Sequence, residues 1–343
     1  MKFRSIILAT TILAAASGAA HARDEIRIVG SSTVYPFTTA VAETFGKVSG
    51  KTPVVESTGT GGGFKLFCSA VGVDSPDFTN ASRAIKKSEF EDCAKNGASV
   101  IEIKVGFDGL TIATAGEAIK VTKQQLFMAL AKQVPDASGK LVDNPYMMWS
   151  EIDASLPATK IEVLGPPPSS GTRDSFVELV MEKGAEGFES LKALKKSDAK
   201  AFEGVWKSIR EDGVFVEAGE NDNLIVQKLE ANKNAYGIFG FSFLEENAGK
   251  IKGIEVDGVS PSFETIASGD YKVARPLFVY AKKEHIGVIP GMAEFMAEYV
   301  SEAAMGEDGY LADKGLVALP ADQAEAVRKA VADQTAMTAA DVK

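Results

Sequence analysis

The sequence predicts an α/β fold with mainly parallel sheets flanked by helices, and three observations carry that prediction. Short β-branched runs alternate with helix-period segments along most of the chain, the order that favours parallel strands with helices on their faces. The stretches that follow several of these strands are rich in Gly, Ser and Thr, residues suited to tight turns and helix caps. The length of 343 residues, 45% of them hydrophobic, suits about two domains with substantial cores.

Taken in order, residues 25–29 read as a strand that ends at Gly30. Pro36 suits a first helical turn. Phe37, Val41, Phe45 and Val48 recur at helical spacing, and Gly50 supplies the stop. Residues 53–56 form a second short strand, followed by Gly59-Thr60-Gly61-Gly62-Gly63 and a helix over 64–71. A strand over 77–81, a helix over 87–95 and an alternating strand over 100–105 complete a βαβαβ unit. The theme then repeats, with a helix at 122–132, a strand at 161–164 and a helix at 171–183. Strands at 214–217 and 236–239 enclose a helix at 223–231, and a late strand covers 276–281. Helices at 292–303 and 321–332 close the chain.

The first 22 residues read as a secretory signal. Lys2 and Arg4 precede a short apolar run, and Ala20-His21-Ala22 fits a cleavage site after Ala22. The run is too short for a good membrane span, which needs roughly 20 apolar residues. The mature chain is therefore expected to be soluble and exported to the periplasm. Its net charge moves from -10 to -12, because Lys2 and Arg4 leave and no acid does. So acidic a chain is a poor candidate for nucleic acid or an anionic membrane surface. Cys68 and Cys93, an even pair in an oxidising compartment, are expected to form a disulfide, with two separate thiols as the alternative. With 2 Cys and 2 His in all, His-rich metal centres, zinc modules and iron–sulfur clusters are poorly supplied. After cleavage His285 is the only histidine, and its polar neighbours suggest a solvated surface position.

The functional signal lies after the strands. Gly30-Ser31-Ser32-Thr33, Ser57-Thr58-Gly59-Thr60-Gly61-Gly62-Gly63 and Ser169-Ser170-Gly171-Thr172-Arg173 are three separate strand-to-helix junctions. Ligands of open α/β sheets bind beyond the carboxyl ends of strands. A helix start there offers free N–H groups and partial positive charge. Hydroxyls add donors, and Gly admits close backbone approach. Singly, each junction is an ordinary cap or turn. Together, with Arg83 and Arg173 beside two of the Ser-containing stretches, they suit a small oxyanion. Gly59 to Lys65 fits neither the P-loop nor the dinucleotide fingerprint, because Phe64 stands where each needs Gly.

Five pieces occur in one order: Gly30-Ser31-Ser32-Thr33-Val34-Tyr35-Pro36, Thr60-Gly61-Gly62-Gly63-Phe64-Lys65, Asn80-Ala81-Ser82-Arg83, Phe107-Asp108-Gly109-Leu110 and Ser170-Gly171-Thr172-Arg173-Asp174-Ser175-Phe176. In these pieces the chain resembles the periplasmic phosphate-binding proteins of phosphate ABC transporters. The resemblance implies a two-lobed, type II-like binding-protein fold, each lobe a mainly parallel sheet flanked by helices, joined by a hinge. On that reading 23–110 plus 275–343 form one lobe and 111–274 the other. It also implies phosphate ligands at Ser32, Thr33 and Val34, at Thr60, and at Ser170, Gly171 and Thr172, with Ser82 beside them. Two departures stand out. Arg83 occupies the place where some members carry an Asp that accepts the phosphate proton. Pro166 stands where many carry an Arg. Asp108 is then expected to take over as acceptor or to orient an Arg, while Arg83 and Arg173 supply positive charge. No cofactor or metal is expected, and the partners are inorganic phosphate and a membrane permease, with the protein a monomer. The rival readings are the same scaffold tuned to sulfate, molybdate or a phosphonate, an exported phosphatase with a Ser nucleophile, and an adhesin-like or sensory module that binds no anion. The lone His counts against the phosphatase.

Overall fold

The computed structural model describes residues 23–168, 170–218 and 222–342; the predicted signal segment and Ser169 lie outside them. The first unit follows the predicted alternation: β1 (Arg27–Gly30), α1 (Tyr35–Ser49), β2 (Val54–Ser57), α2 (Thr60–Phe67), β3 (Phe78–Ala81), α3 (Lys87–Lys95) and β4 (Val100–Thr114). Two bounds depart from expectation. First, α2 starts at Thr60, so its glycines lie inside the helix. Gly63 needs no side chain because a Cβ there would stand 2.6 Å from Gly30 Cα and 2.4 Å from Thr79 Oγ1. The helix packs directly on the end of β1. Second, β4 continues nine residues past Val105. Gly106 and Gly109 interrupt the alternation in sequence, yet the strand is buried on both faces there, where alternation is not required. Val48, placed on the apolar stripe of α1 by spacing, is 89% exposed in the helix's last turn, beyond the reach of the core.

The main sheet runs β2, β1, β3, the strand Ala274–Lys282, β4, then Tyr236–Gly240, Val163–Gly165 and Phe215–Glu217. Pairing is parallel within β2–β1–β3 and within the last three strands. The strands at the centre are antiparallel. β4 joins the two halves. It pairs with Ala274–Lys282 up to Gly109 and with Tyr236–Gly240 from Leu110 to Ala113. The chain thus leaves the first half along β4 and returns along Ala274–Lys282, which runs antiparallel to it.

The helix expected over 171–183 is α-helical over Gly171–Phe176, passes through a π turn at Val177–Met181 and is α-helical again over Glu182–Ala185. The hairpin Gln133–Pro135/Leu141–Asp143 and the helices Glu189–Ser197 and Ala199–Lys207 were not foreseen. Cys68 and Cys93 form the expected disulfide, joining the end of α2 to α3 inside a small core with Phe64, Phe67 and Tyr280.

His285 is the clearest correction: it is buried, 1% exposed. Its Nδ1 lies 2.6 Å from Asp77 Oδ1 and its Nε2 3.1 Å from the Val71 carbonyl. Asp77, itself fully buried, also accepts from the Arg23 guanidinium at 2.8 Å and the Arg27 amide at 2.7 Å. The partner lies 208 residues away in sequence, so the polar neighbours of His285 carry no trace of it. Nearby, the Lys282 ammonium donates to Ala70 O and Ser75 Oγ, at 2.7 and 2.6 Å. Burial pushes its pKa down to about 8, against the pull of Asp77.

Candidate functional site

The first junction is built by Gly30. Its φ is +128°, and a Cβ would stand 2.3 Å from Asn80 O, so only glycine lets the chain turn here. The Ser31 amide donates to Asn80 O at 2.9 Å, and the Tyr35 amide to Ser31 O at 3.0 Å, which leads into α1 with Pro36 in its first turn. Val34 is fully buried at the helix start, and its amide donates to Ser31 Oγ at 3.4 Å. Ser32 and Thr33 face outward into a cavity of about 460 Å³.

The third junction reaches the same cavity. Ser170 caps its helix, accepting from the Thr172 amide at 3.2 Å. A Cβ on Gly171 would stand 3.7 Å from Ser32 O and 3.9 Å from Thr33 Cα. Ser170, Gly171 and Thr172 therefore line the cavity opposite Ser32 and Thr33, with Asp108 and Ser175 also in its wall.

At the edge of this group sits a residue that sequence reasoning missed. Arg275 lies opposite Asp108 in the register of the two central strands. Its Nη2 donates to Thr33 Oγ1 and to Ser175 Oγ, both at 2.9 Å, and its Nε approaches Asp108 Oδ2 at 3.4 Å. Its Nη1 donates to Glu178 Oε2 at 2.5 Å. The Ser175 hydroxyl in turn donates to Asp108 Oδ2 at 2.5 Å. Asp108 thus orients an arginine, one of its two expected roles. Charge-assisted contacts of this kind are the strong ones. Asp174 lies next to them, and burial raises its carboxyl above the usual range while a hydrogen bond from Ser32 opposes the rise. The available signal for Arg275 was a lone Arg heading the apolar run 276–281, since a buried cation in a strand demands a carboxylate.

The remaining expected residues stand elsewhere. Thr60 Oγ1 lies 3.2 Å from Ser82 Oγ and accepts from the Ser82 amide at 3.2 Å, so the second junction is tied to the end of β3. Neither residue borders the cavity. Arg83 is forked onto Glu89 at 2.8 and 2.7 Å. Although burial opposes it, this pairing holds the Glu89 carboxyl below its usual range. Arg173 lies over the Phe215 ring at 4.6 Å and donates to Pro166 O at 3.1 Å. Burial pushes its guanidinium down, against Glu217 and Asp174. Arg275 is bonded to three residues of the cavity wall, Thr33, Asp108 and Ser175, and Lys314, next to Asp313, lies in the wall itself.

Two half-sheets sharing their central strands, with hydroxyl-rich junctions of both halves meeting over one cavity, define a substrate-binding protein. The chain matches the model of the PBP superfamily domain over residues 15–303 and belongs to that superfamily. That superfamily is one of substrate-binding proteins, not of enzymes. Within it the chain belongs with the phosphate-binding protein PstS and protein SphX. It is 30% identical to PstS of Staphylococcus saprophyticus over 326 residues, 91% of this chain and 87% of the relative. It is 34% identical to SphX of Synechococcus elongatus over 264 residues, 74% of this chain and 67% of the relative. The crystal structure of a possible phosphate binding protein from Planctomyces limnophilus superposes with a TM-score of 0.71 at 31% identity, covering 91% of this chain and 98% of that one. An ABC-type phosphate transport receptor from Vibrio cholerae, at 21% identity and a TM-score of 0.54 over 86% of this chain and all of that one, shares the fold. Among the described residues no helix is long and apolar enough to cross a membrane.

Proposed function

We propose that this protein captures inorganic phosphate in the cleft between two lobes and delivers it to the membrane permease of an ABC transporter. The observation that carries the reading is the convergence of Ser32, Thr33 and Ser170–Thr172 on one cavity beside the Arg275–Asp108–Ser175 network. Hydroxyls, helix-start amides and a guanidinium suit an oxyanion. A carboxylate among them, Asp108, with Asp313 also in the wall, suits an oxyanion that still carries a proton: hydrogen phosphate has one to donate, and sulfate does not. Facing Asp108, sulfate would bury like charges without a bridging proton, a cost of several kcal/mol. Arg275 takes the charge role first expected of Arg83 and Arg173. The names of the PstS relatives and of the Planctomyces structure support the same ligand.

The lobes are residues 23–110 with 275–343, and 111–274, the chain crossing between them near the middle of β4 and again between Ala274 and Arg275. The protein works in the periplasm after cleavage behind Ala22, as a monomer, without a cofactor or covalent step. Calorimetric titration of the mature, dialysed protein tests this. One equivalent of phosphate should bind, with sulfate and molybdate far weaker. Absence of phosphate binding overturns the reading, and turnover of a chromogenic phosphate ester would replace it with a hydrolase.

A further inference from the structure

A second cavity, about 630 Å³ against about 460 Å³ for the cleft, lies at the start of the helix Lys123–Leu130. Its wall contains Lys123, Lys183 and Lys272, with Asp257 as the one acid. In a chain with 47 acidic and 37 basic residues, three ammonium groups around one cavity run against the composition. Lys123 is 9% exposed, and its Nζ donates to the Lys272 carbonyl at 2.6 Å. An ammonium has three donors, and no other acceptor for this one is found among the described residues. Asp257 receives the Lys123 backbone amide at 3.1 Å, not its ammonium. The Lys272 ammonium donates to the Gly269 carbonyl, and Lys183 pairs with Glu186 at 3.1 Å. Among the described residues neither Lys123 nor Lys272 has a carboxylate within ion-pair distance. Burial depresses the Lys123 ammonium, Lys183 and Lys272 add to the depression, and Asp257 alone opposes it. A buried cation so poorly compensated is costly, and an anion in the cavity would relieve it.

We propose that this cavity is a second anion site, separate from the cleft, that takes a small oxyanion of two or more negative charges. Lys123 and Lys272, neither with a carboxylate within ion-pair distance among the described residues, call for more than one negative charge, and Thr122 and Gln124 add polar groups to the same wall. The site lies along the same helix that begins at Gly171 and carries Ser175 and Glu178, because Leu179 and Lys183 belong to its continuation.

The test uses amide spectra of the mature protein already saturated with phosphate, titrated with pyrophosphate. Amides at 122–124, 179–183 and 272 should shift and saturate, while those at 31–34 and 170–175 stay in place. The cavity amides report whether or not the cleft binds phosphate, so the two readings fail separately. In Lys272→Gln and in Lys183→Gln, both exposed positions, the second affinity should fall about tenfold, the loss of one charged hydrogen bond. Lys123→Met should abolish it, and Lys47→Gln, exposed on α1, which packs on β2 and the helix Met292–Tyr299, should leave it unchanged. No shift at the cavity amides up to millimolar pyrophosphate overturns the proposal, as does an equal shift in the Lys183→Gln/Lys272→Gln double variant.

Discussion

Arg275 holds four side chains at once: Thr33, Asp108, Ser175 and Glu178. A lysine keeps the charge but cannot reproduce the planar fork. Arg275→Lys should therefore weaken phosphate binding by about 10- to 100-fold, the loss of one or two charged hydrogen bonds. Titration calorimetry reads this directly, and wild-type affinity in the variant would remove Arg275 from the site. Asp108→Asn keeps the shape and removes the acceptor charge, so the preference for phosphate over sulfate should narrow; unchanged affinities for both anions would refute the acceptor role. Lys282 supports a prediction in pH. Its folded pKa of about 8 lies below the ordinary 10.5, so between these values the unfolded chain binds the proton that the folded protein has released. The stability contributed by this residue therefore rises with pH across that window. Urea unfolding at its two ends, in the wild type and in Lys282→Met, isolates the contribution. The gain should be smaller in the variant, and an equal gain would rule Lys282 out as its source.

At the scale of elements, the first junction depends on α2 pressing against the end of β1. Gly63→Ala would set a Cβ 2.6 Å from Gly30 Cα, a backbone atom that cannot swing aside. The expected cost is about 1–3 kcal/mol, as for overpacking, visible in the urea midpoint, together with weaker phosphate binding because Gly30 leads into Ser32 and Thr33. The disulfide clamps α2 to α3 across 25 residues. Replacing both cysteines with Ala should cost about 2–4 kcal/mol and leave phosphate affinity nearly unchanged, since neither sulfur borders the cleft. Most elements were legible because their causes are local: Pro36 opens α1 and Gly50 stops it, and the helix Ala321–Ala332 falls where the sequence places it. β4 was not fully legible. Its second half alternates poorly and is held by partners on both sides, Ala274–Lys282 and Tyr236–Gly240, and burial on both faces erases the period that marks a strand.

In the whole molecule, the site sits on the seam. Asp108 and Arg275 face each other on the two strands that link the half-sheets, and the helix from Gly171 brings Ser175 and Glu178 against them. Ligand that binds this folded arrangement alone must stabilise it. At about 100 times its dissociation constant, phosphate should add about 2.7 kcal/mol to unfolding, with sulfate adding far less; equal effects from the two would contradict a selective cleft. The net charge of -10 does not oppose this, since fields of distant surface charges are screened within about 10 Å in ordinary salt. The sequence by itself determined the alternation of strands and helices and the hydroxyl-rich turns at Ser32–Thr33 and Ser170–Thr172, set by neighbouring residues, and the cysteine pair, set by there being two cysteines in an exported chain. Only the tertiary structure decided that Arg275 meets Thr33, Asp108 and Ser175 while Arg83 is drawn to Glu89, and that His285 is buried against Asp77. Arg275 meets Thr33 across 242 residues, and His285 meets Asp77 across 208. Strand register sets contacts of that span, and no local propensity encodes which charge a cation will find when the sheet closes around it.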